Sequence, residues 1–145
     1  MVQVAFKNSP VTLIGNEVKV GDQAPDFTVV ANDLSEVTLK DSEGKIRLFS
    51  VVPSLETGVC DKQTRTFNEA AANLGDNVVI YTVSMDLPFA QKRWCGAAGI
   101  DNVVTVSDHR DASFGEAYGV HMKELRLLAR SIFVVDETGK VSYVE

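Results

Sequence analysis

The sequence is short of several things, and each shortage removes a class of reading. Only two of its 145 residues are cysteine, Cys60 and Cys95, so no dense disulfide framework holds the fold. Lysine and arginine number 14 against 20 acidic residues, giving a formal charge of -6 and a pI near 4.9. A general nucleic-acid binder needs the opposite balance. No apolar run approaches the roughly 20 residues of a membrane span. The opening, Met-Val-Gln-Val-Ala-Phe-Lys, lacks a basic region followed by a long apolar stretch, so no signal peptide is expected. The expected compartment is the cytoplasm, where two cysteines read as free, catalytic or redox-active thiols. Histidine is scarce as well, and His109 and His121 are expected in loops or at the surface. With Cys60 and Cys95 they lack the close ligand pairs of structural zinc sites, so neither metal nor cofactor is expected. There is no Cys-x-x-Cys, internal repeat or low-complexity tract.

What remains is ordinary for a globular protein: 45% hydrophobic and 23% charged residues over a length that suits one domain. Val2 to Phe6 and Val11 to Ile14, separated by Lys-Asn-Ser-Pro, predict an N-terminal β-hairpin. Phe27 to Ala31 and Val37 to Leu39 read as short strands, and Ile46 to Val52 as a buried central one. The polar segment from Asp61 to Leu74 suits a helix whose stripe is Phe67, Ala70, Ala71 and Leu74. Val78 to Met85 is a second apolar strand. Asp86 can cap the helix that follows, with Pro88 in its first turn. Val103 to Val106 predicts a strand, Ser113 to Tyr118 a short helix, and Glu124 to Leu128 a loop or helical turn. Arg130 to Val135 and Val141 to Val144 flank the turn Asp-Glu-Thr-Gly and predict an antiparallel pair. Strands alternating with helices, closed by a hairpin, indicate an α/β fold of thioredoxin type: a central mixed sheet flanked by helices.

One stretch carries the chemistry. Pro53 stops the central strand, because proline has no N–H for a ladder. Cys60 then falls in the first turn of the next helix, where free N–H groups and the helix dipole favour a thiolate. Thr57 lies three residues earlier, close enough to aim its hydroxyl at the sulfur. A strand, a proline stop, a hydroxyl and a helix-borne cysteine together suggest an activated nucleophile. An arginine would supply a permanent charge with several donors. Spacing alone does not choose among Arg93, Arg110, Arg126 and Arg130.

The pattern Pro-x-x-x-Thr-x-x-Cys at Pro53, Thr57 and Cys60 resembles that of the peroxiredoxins. Thr-Gly-Val-Cys, together with Asp-Leu-Pro-Phe-Ala-Gln and Arg-Trp-Cys-Gly in 86–96, resembles the bacterial thiol peroxidases, atypical two-cysteine members. The likeness runs over nearly the whole chain. It implies that Cys60 is the peroxidatic cysteine and Cys95 the resolving one. It further implies that Arg130, before a late strand, faces Cys60, and that Pro53 shields the sulfur. Hydrogen peroxide and organic hydroperoxides would be reduced through a Cys60 sulfenic acid and an intramolecular disulfide, which thioredoxin would reduce. Cysteines on separate helices are expected to lie beyond the roughly 7 Å Cα limit of a disulfide, so local unwinding is expected during turnover. The family further implies a homodimer, with Trp94, Phe89 and the 108–111 loop as contributors. It usually adds a C-terminal helix after the last strand; the sequence stops at Glu145, so residues 1–145 are expected to form one thioredoxin-like domain without it. Two rival readings of the same residues are a disulfide oxidoreductase and a non-enzymatic redox sensor.

Overall fold

A computed structural model of the chain describes residues 2–6, 9–55, 58–71, 77–98 and 103–145, without the side chains of 2–6, 9–11, 58–61, 71 and 98. The strands are β1 (Val2–Phe6), β2 (Ser9–Ile14), β3 (Thr28–Ala31), β4 (Glu36–Thr38), β5 (Ile46–Val51), β6 (Val78–Ser84), β7 (Val104–Ser107), β8 (His121–Met122), β9 (Leu127–Leu128), β10 (Ser131–Val135) and β11 (Val141–Val144). The helices are α1 (Gly58–Ala71), α2 (Pro88–Ala98) and α3 (Ser113–Ala117), with a 3-10 turn at Leu39–Ser42.

The strands form two sheets. Seven run in the order β11-β10-β5-β6-β7-β3-β4 and four in the order β1-β2-β8-β9. The parallel pairs β5–β6 and β6–β7 lie at the centre of the larger sheet, where the crossovers through α1 and α2 require them. All its other pairings are antiparallel. This is the mixed α/β sheet expected of a thioredoxin-like domain, and the N-terminal hairpin is present as β1–β2.

Side chains alternate across the central sheet and give its two faces different characters. On one face Phe49, Val51, Tyr81, Val83 and Val106 join Phe27, Phe114, Tyr118 and Phe133 in the main core. Aromatic edges and faces fill it; Phe114 and Tyr118 stack 4.2 Å apart. On the other face, Ile80 and Val103 pack with Leu48, Phe67, Trp94 and Cys95 beneath α1 and α2. Towards the carboxyl ends of the strands that second face turns polar. Ser50 aligns with Thr82, Thr82 with Thr105, and Ser84 with Ser107, all of them buried.

Four local expectations need correction. Glu124 to Leu128 is neither loop throughout nor helical turn. The chain runs β8, a turn through Arg126 at φ 51, and β9, whose pairing to β8 extends the hairpin sheet. His121 is not a surface residue; it lies in β8, buried, because that strand is sandwiched between β2 and β9. Ala70 in α1 is exposed, and Gln63 and Thr64 turn inward instead, since hydroxyls line the sheet beneath them. Leu74 lies outside the described residues, as does the expected helix end at 75–77 except for its last residue. Finally, Asp86 spends both carboxylate oxygens on β6 and on the segment after β5 rather than on the first turn of α2.

Candidate active site

Of the expected site residues, Pro53, the backbone of Cys60 and Arg130 lie near the carboxyl end of β5. Val52 and Pro53 follow that strand and are buried. Cys60 is the third residue of α1, so its backbone occupies the first helical turn as the sequence predicts. Its side chain, and Thr57 altogether, lie outside the described residues. Arg130 stands one residue before β10, whose Ser131 pairs with Val51, the last residue of β5. The register therefore sets Arg130 beside the strand end that leads to Cys60; its side chain is exposed and engaged. Arg110, by contrast, is occupied on the surface by Glu36 at 2.7 Å and Asp111 at 3.0 Å. Those bonds hold its guanidinium pKa above the ordinary value.

Cys95 is a free, half-buried thiol on α2, and its Sγ lies 3.5 Å from Thr105 Oγ1 on β7. Thr105 in turn donates to Asn32 Oδ1 at 3.0 Å. Cys95 thus hangs over β7, while Cys60 leads off from β5, with β6 between the two strands. Two strand spacings amount to about 9–10 Å. Trp94, next to Cys95, packs against Val52, Leu55, Ile80 and Val103, and Arg65 of α1 lies over its ring at 5.7 Å.

Sequence reasoning missed the polar scaffold that holds these segments. Gln63 Nε2 of α1 donates to Ser50 Oγ at 2.6 Å. Gln91 of α2, fully buried, donates to Ser84 Oγ at 2.9 Å and to the Val106 carbonyl at 2.8 Å. Asp86 accepts from Ser54 Oγ at 2.7 Å, from the Leu55 N–H at 2.8 Å and from Ser84 Oγ at 2.9 Å. The available signal was the run of Ser and Thr at the ends of otherwise apolar strands: buried hydroxyls need partners, and those partners come from the helices above.

No group of three or more His, Cys, Asp or Glu side chains among the described residues could hold a metal. Among the same residues no helix is long and apolar enough to cross a membrane.

Known proteins resemble this arrangement over its whole extent. Residues 19–145 match the Redoxin family. The thiol peroxidase of Bacillus subtilis strain 168 is 68% identical over 145 residues, which is all of this chain and 86% of that protein. The crystal structure of a peroxiredoxin-like protein from Aquifex aeolicus superposes with a TM-score of 0.90 at 44% identity, covering 99% of this chain and 84% of that one. A thiol peroxidase from Chromobacterium violaceum shares the fold at 20% identity, with a TM-score of 0.85 over 99% of this chain and 84% of its own. These likenesses favour peroxidase chemistry over the disulfide oxidoreductase and sensor readings. The chain belongs to the Redoxin family, within its thiol peroxidases, and is a thiol-dependent peroxidase of the peroxiredoxin kind.

Proposed function

We propose that this peroxidase works through Cys60 as the peroxidatic cysteine and Cys95 as the resolving cysteine. Hydrogen peroxide or an organic hydroperoxide is the oxidant and thioredoxin the reductant. The observation that carries the reading is the convergence at the end of β5. Cys60 follows in the first turn of α1, and the β10 register brings Arg130 alongside.

In the first half-reaction the Cys60 thiolate attacks the terminal peroxide oxygen. An S–O bond forms and the O–O bond breaks. The departing alkoxide or hydroxide takes up a proton, leaving Cys60 as a sulfenic acid. The helix start favours the thiolate. Arg130 meets charge on the oxygens, Thr57 donates to thiolate or peroxide, and buried Pro53 keeps water off the sulfur. In the second half-reaction the Cys95 sulfur attacks the sulfenic sulfur. An S–S bond forms, the S–O bond breaks, and hydroxide leaves as water with the Cys95 proton. Strand β6 lies between β5, which leads to Cys60 in α1, and β7, beneath Cys95 on α2, which supports unwinding of α1, α2 or both before the sulfurs meet. Thioredoxin then gives up two electrons and two protons to restore both thiols. A cytoplasmic setting, where thiols are kept reduced, suits this cycle.

Stopped-flow peroxide reduction tests the assignment. Cys60→Ser is expected to abolish turnover. Cys95→Ser is expected to allow one oxidation per chain and then stall until an added thiol resolves it. Continued turnover by Cys60→Ser would remove the basis of the reading.

The protein acts as a homodimer. The support is apolar surface at the start of α2, where Phe89 is 65% exposed and Leu87 49% exposed. Trp94 is taken up largely by internal packing and Asp108 is buried, so Phe89 is the stronger contributor of those expected. Sedimentation of the reduced chain should give twice the monomer mass, and Phe89→Glu should halve it; a wild-type monomer would exclude the dimer.

A further inference from the structure

The segment leading to Cys60 is fastened from the side by a carboxylate in the neighbouring crossover. Asp86 sits in the turn between β6 and α2. Its Oδ1 accepts from Ser54 Oγ, and its Oδ2 accepts from the Leu55 N–H and from Ser84 Oγ. The turn is itself held, because Ser107 Oγ donates to the Asp86 carbonyl at 2.6 Å and Gln91 joins Ser84 to α2. Among the described residues Asp86 forms no ion pair with a lysine, arginine or histidine, so these donors are what its charge serves.

Leu55 needs this partner. It lies past Pro53, where the strand ladder has ended, and it is buried, so its N–H would otherwise be lost to both water and sheet. Hydrogen bonds to a carboxylate are among the stronger ones. Three residues beyond Leu55 the chain enters α1. The two segments that a Cys60–Cys95 disulfide must join therefore meet at one side chain.

We propose that Asp86 is a positioning residue: by holding Ser54 and Leu55 it favours the peroxide-reactive form, in which Cys60 lies in the first turn of α1, over the unwound form that disulfide formation requires. The proposal rests on the Cys60 and Cys95 assignment given above. A tether of this kind has opposite effects on the two half-reactions. It keeps the thiolate in the first helical turn, where attack on peroxide is favoured, and it opposes the opening that lets Cys95 reach the sulfenic acid.

Asp86→Asn tests it in the full chain. The amide has nearly the same shape but presents donor hydrogens where one carboxylate oxygen accepted, so at least one tie is lost. Reduced protein is mixed with hydrogen peroxide in a stopped-flow instrument, and the single tryptophan, Trp94, reports both steps from beside Cys95. The rate constant for thiolate oxidation is expected to fall about tenfold or more. The later disulfide phase is expected to keep its rate or to quicken. Asp136→Asn serves as the control for lost stability alone. Asp136 Oδ1 accepts from Thr138 N–H, Thr138 Oγ1 and Lys140 N–H in a turn at the opposite end of the sheet. If Asp86→Asn does not fold, Ser54→Ala removes one donor to Oδ1 and should shift both phases the same way to a smaller degree.

An unchanged oxidation rate would overturn the proposal. So would a parallel loss of both phases, or a slowed disulfide phase. Turnover surviving in Cys60→Ser would instead sink the underlying site assignment, whatever residue 86 does.

Discussion

At the scale of single residues, one carboxyl group outside the cysteine site departs clearly from ordinary chemistry. Asp108 is buried, and its carboxylate accepts the N–H groups of Gly115 at 2.7 Å and Phe114 at 2.9 Å, at the start of α3. Burial nevertheless outweighs those bonds, and the pKa is pushed up from 3.8 to about 6; Glu116 nearby adds to the rise and Arg126 opposes it. A folded pKa above the unfolded one means that the fold prefers the protonated acid. The associated stability is fully present below the unfolded value of 3.8 and is lost as pH rises through about 6. Asparagine at this position mimics the neutral acid at every pH. Wild type should therefore lose stability relative to Asp108→Asn between pH 4 and pH 7, by on the order of 2 kcal/mol. Urea unfolding at a series of pH values measures the difference, and a flat line would contradict the argument. His121 pulls the other way, since burial first and Arg126 second lower its pKa. It is common to both proteins and drops out of the comparison to first order.

Elements were legible to the extent that their signals were local. The strands β5, β6 and β10 declare themselves as runs of β-branched and aromatic residues, and the closing hairpin by its turn. The Pro53–Cys60 pattern is equally local, so the position of Cys60 in α1 could be read directly. The buried face of α1 could not. Hydrophobic periodicity assumes that a helix rests on hydrocarbon, whereas α1 rests partly on hydroxyls: Gln63 bonds Ser50, and Thr64 beside it is fully buried. Asp86 shows the same limit. By sequence grammar an aspartate before Leu-Pro caps the next helix. A buried N–H 31 positions earlier in the chain competes for the same oxygen and wins, and no local pattern reports it. The two-residue strands β8 and β9 are too short to carry any period at all. What stayed hidden is thus the set of polar contacts between distant segments, which includes the scaffold of the site.

Viewed whole, the molecule is two sheets joined through α3 and the turns beside it. Leu128 of β9 and Val120 before β8 pack into the main core, and beside them backbone meets backbone. Asn16 N–H donates to the Glu116 carbonyl at 2.8 Å, directly after the β1–β2 hairpin. Gly15 makes this approach possible. It holds φ at +111°, and a Cβ there would run into the Glu116 carbonyl oxygen, with Glu116 Cα 2.7 Å away. Both the conformation and the space exclude a side chain, and the obstruction is main chain that cannot swing aside. Gly44 supplies the comparison: its φ is +83°, yet nothing lies within 4 Å of an added Cβ. Gly44→Ala should therefore cost only the backbone strain, about 1 kcal/mol. Gly15→Ala carries the same strain plus the clash, and about 2–4 kcal/mol is expected. For a chain of this size that corresponds to a fall in Tm of about 5–12 °C. The hairpin reaches the rest of the chain through β8, so its loosening should spread to His121 and Leu128 rather than end at the hairpin. Peroxide oxidation of Cys60 in the remaining folded protein should keep its rate, because the end of β5 is built without the hairpin. Equal melting temperatures for the two alanine variants would mean that the sheets do not meet as closely at Gly15 as this joint requires.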